Sequence, residues 1–165
     1  MKKVVIINGY NGVGKDTFVD YVGKYRKVMN YSSISAIKDI AILAGWKGSK
    51  EEKDRKFLSD LKLLCSSYSD LPMKAMEEKY KYFLTTNAEY LFLHIREPQE
   101  IELAQKKFDA ITVLITNERV PQIKSNYADA NVYNYIYDYY IDNSETFENL
   151  EEAAKLFIDS IEDNS

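Results

Sequence analysis

The 165-residue chain predicts a doubly wound α/β fold on a mostly parallel five-stranded sheet flanked by helices. Three observations predict it. Short, continuous apolar runs of strand length (residues 4–7, 90–95 and 111–115) alternate with amphipathic stretches of helical period. The first of these runs turns directly into a glycine-rich loop and then a helix. No repeat, low-complexity tract or Pro/Gly-rich linker divides the chain, so residues 1–165 read as one domain.

The elements follow in order. Residues 4–7 form a strand buried on both faces. From Lys15 to about Arg26 the pattern turns helical, with Phe18, Val19, Val22 and Tyr25 on the inner side. A second strand is expected over 28–33. Ser35 then caps a short apolar helix carrying Ala36, Ile37, Ile40, Ala41 and Ala44, which Gly45 stops. Ser49 and Glu52 have capping-box spacing, and Phe57, Leu58, Leu61, Leu64, Cys65 and Tyr68 mark the buried face of the helix they open. Pro72 opens a helix to about Tyr82, and Pro98 opens another to about Phe108, with a buried strand over 90–95 between them. A strand over 111–115 leads into a polar, irregular segment over 117–131. A further strand is expected over 135–141. The last helix turns Phe147, Leu150, Ala154, Phe157, Ile158 and Ile161 inward.

Composition narrows the function. At 45% hydrophobic and 29% charged residues the chain builds a core. Its net charge of −4 argues against a general nucleic-acid or membrane-surface binder. A single cysteine, Cys65, excludes an internal disulfide and a thiolate metal cage, and a single histidine, His94, excludes a multi-histidine zinc site. The N-terminal apolar run is too short for a signal peptide and no run reaches membrane-spanning length, so a cytoplasmic location is expected.

The chemistry lies in residues 9–17, Gly-Tyr-Asn-Gly-Val-Gly-Lys-Asp-Thr. This is G-x-x-x-x-G-K at a strand-to-helix junction, the context in which that motif binds the phosphates of ATP or GTP. Glycines let successive N–H groups point inward as an anion nest, and the helix N-terminus adds partial positive charge. Gly9, Asn11, Gly12, Val13, Gly14, Lys15, Asp16 and Thr17 are therefore the candidate ATP-phosphate residues, with Lys15 catalytic through its reach to the β- and γ-phosphates. Asp16 stands where Ser or Thr usually ligates Mg²⁺. Either Thr17 takes over part of that role, or Asp16 joins the metal shell through water, or Asp16 merely favours the positive end of the helix.

The loop after a short N-terminal strand resembles the P-loop kinases of small molecules. Its Gly-Lys-Asp-Thr variant at 14–17 resembles the phage-type deoxynucleoside monophosphate kinases in particular. Residues 35–39, Ser-Ala-Ile-Lys-Asp ahead of an apolar helix, are similar to the acceptor-side helix of that group. Phosphomevalonate and dephospho-CoA kinases share the general plan. The resemblance implies Mg²⁺ with ATP as cofactor, an acceptor-binding helical segment over about 35–84 and a short lid over about 117–131 that brings basic residues to the transferring phosphate.

Arginine is scarce: four residues, Arg26, Arg55, Arg96 and Arg119, against 18 lysines. In an open parallel sheet ligands bind beyond the carboxyl ends of the strands. The strand over 90–95 delivers Arg96 there, the strand over 111–115 delivers Arg119 within a few residues, and the second strand delivers Ser35 and Lys38. Arg55 opens the helical segment between the second and third strands. A guanidinium fork suits phosphate because it donates two parallel hydrogen bonds and stays charged. Ser35, Lys38, Arg55 and Arg96 are thus acceptor candidates, Arg96 and Arg119 catalytic candidates, and Arg119 with Lys124 the lid candidates. Arg26 reads as a solvated helix-end charge. Arg55, Ser59, Lys62 and Ser66 recur as a polar stripe, which for Lys62 favours a solvated face. His94 reads as a satisfied core residue, Trp46 and Cys65 as packing residues. The five tyrosines of residues 132–141 read as sheet structure rather than base recognition.

The leading expectation is ATP-dependent phosphorylation of a nucleoside or deoxynucleoside monophosphate to its diphosphate. Its partners would be those two small molecules, with no nucleic acid or membrane, in a monomer or homodimer. The alternatives are a kinase of another phosphorylated metabolite, of phosphomevalonate or dephospho-CoA type, and a non-catalytic nucleotide-binding switch. No N-K-x-D guanine motif occurs, which disfavours a GTPase.

Overall fold

The computed structural model describes residues 1–122 and 130–163. Its five strands form one wholly parallel sheet in the order β2-β3-β1-β4-β5. In chain order β1 is Lys3–Asn8, α1 Lys15–Gly23, β2 Val28–Ser32 and α2 Ser35–Leu43. Next come α3 Glu52–Ser69, α4 Leu71–Thr85, β3 Tyr90–His94, α5 Pro98–Phe108 and β4 Ile111–Thr116. The chain ends in β5, Tyr139–Asp142, and α6, Phe147–Asp163. The predicted doubly wound α/β architecture is what forms.

Strand β1 lies between β3 and β4, pairing Ile7 with His94 on one side and with Val113 on the other. The chain first winds outward to β2 and back through β3, then crosses β1 to reach β4 and β5. The reversal opens a crevice beyond the carboxyl ends of β1 and β3, the place where such sheets bind ligands. Helices cover both faces, which is why the central strands are apolar without alternation. On one face α1 packs on α6, with Phe18 edge-on to Phe157 (5.6 Å) and to Phe92 of the sheet (6.5 Å). Phe18, Val22, Phe92, Leu93, Ile6 and Ile7 are completely buried, each contributing about 1.5–3 kcal/mol. Helices α4 and α5 meet through Tyr80 and Phe108, 5.1 Å apart, and through the Lys107–Glu77 ion pair. Lys2 closes the C-terminus of α4, donating to the carbonyls of Phe83, Thr86 and Ala88 at 2.8–2.9 Å.

Several local expectations need correction. Helix α1 stops at Gly23, and Tyr25 beyond it is exposed, donating to Glu151. Arg26 is not a solvated charge: its guanidinium grips the Glu162 carboxylate at 2.7 and 2.8 Å and ties the end of α1 to α6. Ile34, not Ser35, is the N-cap of α2. Ser49 lies two residues before the Glu51 N-cap of α3 and accepts the Glu51 N–H, so no capping box forms.

Helix α3 presents the largest surprise. Of its predicted buried face only Leu58 is buried; Leu64 and Tyr68 are exposed, as is Leu63. Periodicity marks two stripes on a helix but not which one meets protein. Here the stripe of Arg55, Ser59 and Lys62 turns inward. The strand expected over 135–141 begins only at Tyr139, because residues 131–138 turn beneath the phosphate loop. Phe147, at the first turn of α6, is exposed, whereas Leu150, Ala154, Phe157, Ile158 and Ile161 are buried as expected. Residues 123–129 of the expected lid, Lys124 among them, lie outside the described residues.

Candidate active site

Strand β1 ends at Asn8, and this fully buried side chain organises the turn that follows. Its Oδ1 accepts the Gly9 N–H (2.8 Å), while its amide donates to the Tyr137 hydroxyl (2.8 Å) and the Arg96 carbonyl (3.2 Å). Tyr137 in turn donates to the Val132 carbonyl. One buried asparagine thus joins the ends of β1 and β3 to the segment before β5.

The loop then curls under constraint. Gly9 has φ +146°, and a Cβ there would lie 2.5 Å from the Ile115 carbonyl oxygen. Gly14, the N-cap of α1, has φ +102° and would drive a Cβ into the Asn143 amide. That amide donates to the Val13 carbonyl (2.9 Å), clamping the loop from the β5–α6 turn. Gly9 and Val13 are therefore buried framework, while Asn11, Gly12, Gly14, Lys15, Asp16 and Thr17 line a cleft of about 840 Å³. The Lys15 ammonium folds back onto the carbonyls of Gly9 (2.6 Å) and Tyr10 (2.8 Å), across the mouth of the nest.

The same cleft brings together all four acceptor candidates. Ser35 and Lys38 come from α2, Arg55 from α3 and Arg96 from the β3–α5 turn. Arg55 Nε donates to the Lys50 carbonyl at 2.8 Å, which draws its guanidinium toward the α2–α3 connection. Among the described residues six cationic side chains line the cleft (Lys15, Lys38, Lys50, Arg55, Lys62, Arg96) against the carboxylates of Asp16 and Glu97. The field favours a polyanion despite the net acidity of the chain. Arg119 is not among these lining residues. It donates from Nη2 to the carbonyls of Asn143 (3.3 Å) and Glu145 (2.9 Å), bracing the β5–α6 turn instead.

Three residues read otherwise from sequence belong to the cleft. Lys62 is only 13% exposed and bonds Glu97 (2.8 Å) and Glu100 (2.7 Å) of the β3–α5 region, with Ser33 Oγ at 3.4 Å. Burial alone would lower the Lys62 ammonium, but the two carboxylates outweigh it and raise it. Burial pushes Glu100 up to about 7, with Glu97 adding to the rise, whereas at Glu97 the Lys62 charge overcomes burial and lowers the carboxyl. His94 is a wall residue rather than a core one: Nε2 donates to Asn30 Oδ1 (2.7 Å) and lies 3.7 Å from Asp16 Oδ1. Burial holds its imidazole down to about 4, neutral at physiological pH. Trp46 lines the cleft with Tyr31, Ile34 and Leu58, its indole N–H anchored on the Ser49 carbonyl (3.0 Å). No sequence pattern marks Lys62, because its partners stand 35 and 38 positions away.

Mg²⁺ binds few protein oxygens and keeps waters and phosphates as its other ligands. Among the described residues no group of three or more His, Cys, Asp or Glu could hold a metal. A highly exposed Asp16 carboxylate beside the Thr17 hydroxyl, both lining the cleft, is a hard-oxygen donor pair that fits a metal arriving with phosphates. Among the described residues no helix is long and apolar enough to cross a membrane.

No family model matches the chain, and no curated protein does. Solved structures do. The dephospho-CoA kinase from Campylobacter jejuni superimposes with a TM-score of 0.59 at 14% identity over 100% of both chains. A Deinococcus radiodurans tunicamycin resistance protein gives 0.58 at 12% identity over 96% of each. TT1252 from Thermus thermophilus gives 0.50 at 15% identity, covering 96% of this chain and 97% of the other. At such identities the likeness shows the fold alone, a parallel α/β sheet flanked by helices.

Proposed function

We propose that the chain is an ATP-dependent kinase that phosphorylates a nucleoside or deoxynucleoside monophosphate to the diphosphate. The observation that carries this reading is the distribution of charge in one cleft. Lys15 and the loop lie at the end of β1, and Lys38, Arg55 and Arg96 gather around the same space from three other segments. A nucleotide-binding switch needs only the first group. A second cluster of cations suits a second phosphate, held in line with the first.

The acceptor side also supports a phosphate nucleophile over an alcohol. An alcohol needs its proton removed, whereas a phosphate monoester is already anionic at neutral pH. Among the described residues two carboxylates line the cleft: Glu97 is engaged by Lys62, and the Asp16 carboxylate lies at the head of α1 beside the loop. His94 is neutral and donates its Nε2 proton to Asn30. In this reading Arg96 and Arg55 hold the acceptor phosphate and Lys15 offsets charge on the transferring group. Asp16 and Thr17 would hold the Mg²⁺ that accompanies ATP, which supplies charge neutralisation there. Trp46 and Tyr31 offer flat aromatic walls for a base.

The test is coupled ADP release over a panel of ribo- and deoxynucleoside monophosphates, phosphomevalonate and dephospho-CoA, with Lys15→Ala as blank. Turnover that depends on a monophosphate supports the proposal. Turnover confined to dephospho-CoA or phosphomevalonate replaces it with a kinase of that metabolite. Acceptor-independent ADP release that the blank abolishes replaces it with a hydrolytic switch.

A further inference from the structure

We propose that Lys62 is a positioning residue of the acceptor half of the cleft: by bonding both Glu97 and Glu100 it holds α3, and Arg55 with it, against the end of β3 that carries Arg96. The acceptor assignment rests on the function proposed above; the anchoring of α3 does not.

The geometry is a hub. Three segments meet at one ammonium: the turn after β2 through Ser33 Oγ, helix α3 through Lys62 itself, and the β3–α5 region through Glu97 and Glu100. These segments carry the acceptor-side residues Ser35, Arg55 and Arg96. Arg55 and Lys62 stand seven positions, two turns, apart on α3, so fixing one sets the azimuth of the other. Helix α3 packs on α2 and α4, but Leu58 is its one buried residue and its opposite apolar stripe is exposed, so the Lys62 contacts are what tie it to the β3–α5 region.

The carboxylates are committed to this contact. Glu97 is the N-cap of α5, yet its side chain makes no capping bond to its own helix and turns to Lys62 instead. Glu100 stands in the first turn of α5, where the helix end favours negative charge. All three side chains are largely shielded, with exposures of 13%, 28% and 15% for Lys62, Glu97 and Glu100. Two carboxylates on one shielded ammonium leave a residual negative charge unless one is protonated, and the rise of Glu100 fits that sharing. Without the ammonium two shielded carboxylates at the start of α5 would face α3 with no counter-charge, and α3 would lose its tie to the β3 end.

Hydrogen exchange of the α3 amides in the unliganded protein reads the anchoring without any acceptor. Lys62→Met should speed exchange over residues 52–69 by about tenfold or more while β1, β3 and β4 stay protected. With a competent acceptor, its KM should rise about tenfold or more while the KM for ATP stays within about twofold. Lys62→Arg should preserve protection. The triple variant Lys62→Met/Glu97→Gln/Glu100→Gln should restore both readouts, because the carboxylate charge that required a cation has gone. Unchanged exchange in Lys62→Met overturns the proposal. So does a triple variant as loose or as weak as the single one, since the carboxylate charge would then not be what Lys62 answers. If Lys62→Met fails to fold, the triple variant decides: protected α3 amides support the anchor and unprotected ones refute it. If no monophosphate is turned over, the exchange result still stands and only the function proposed above falls.

Discussion

Replacing Gly9 by alanine places a methyl group 2.5 Å from the Ile115 backbone oxygen and 2.8 Å from Val13 Cγ2. Neither neighbour gives way cheaply. Ile115 belongs to β4, paired with β5 on its outer side, and is 1% exposed, while Val13 is clamped by the Asn143 amide. Two costs add: about 1–2 kcal/mol for a side chain at positive φ and about 1–3 kcal/mol for forcing a methyl into a filled space. Gly48 is an internal control. It too has positive φ, +87°, but a Cβ there meets nothing within 4 Å. Urea unfolding of both variants should therefore show Gly48→Ala losing about 1–2 kcal/mol. Gly9→Ala should lose more, about 2–5 kcal/mol, a fall of roughly 4–20 °C in Tm. Equal losses would refute the claim that the loop is pinned on β4 by contact rather than by backbone conformation alone.

Three further outcomes follow from the packing and the charges. Phe18 is fully buried between Phe92 and Phe157, so Phe18→Ala should cost about 3–5 kcal/mol in the same unfolding assay; a loss under about 1 kcal/mol would mean the α1–α6 face is not a packed core. His94 titrates at about 4 when folded and at the ordinary ~6.5 when unfolded, so its contribution is whole above 6.5 and drains as pH falls toward 4, by up to about 3 kcal/mol. Unfolding at pH 7 and pH 4.5 should show His94→Gln losing less stability than the parent on acidification; identical losses would show that the imidazole is not held neutral. Arg96→Ala should raise the acceptor KM or lower kcat by about thirtyfold, as loss of a charge-assisted bond implies, with ATP binding nearly intact. Equal loss of ATP binding would mean the two halves of the cleft have been exchanged.

How far the sequence reached depended on the kind of signal. Strands β1, β3 and β4 were legible because both faces are covered and each reads as an unbroken apolar run. The loop was legible because its glycines and Lys15 are contiguous. Helix α3 was misread because its apolar stripe, Leu64 and Tyr68 included, is the outward one, and the burial of Lys62 depends on carboxylates from a distant segment. The tyrosine run was half legible. Tyr139 and Tyr140 enter β5, but Tyr137 is drawn down to Asn8 by a hydrogen bond that spans most of the chain. His94 and Trp46 have core composition but wall positions, and only the crossing of β1 by the chain reveals which strand ends face the cleft.

The central claim is that a phosphoryl group passes from ATP to a second phosphate held by Arg96 and Arg55, and phosphorus-31 NMR of the products reads the bond that forms. With Mg²⁺, ATP and a nucleoside monophosphate, the account predicts new diphosphate resonances from a second nucleotide, equal in amount to the ADP produced and absent with Lys15→Ala. ADP and inorganic phosphate in equal amounts, formed at the same rate with and without the monophosphate, would contradict it.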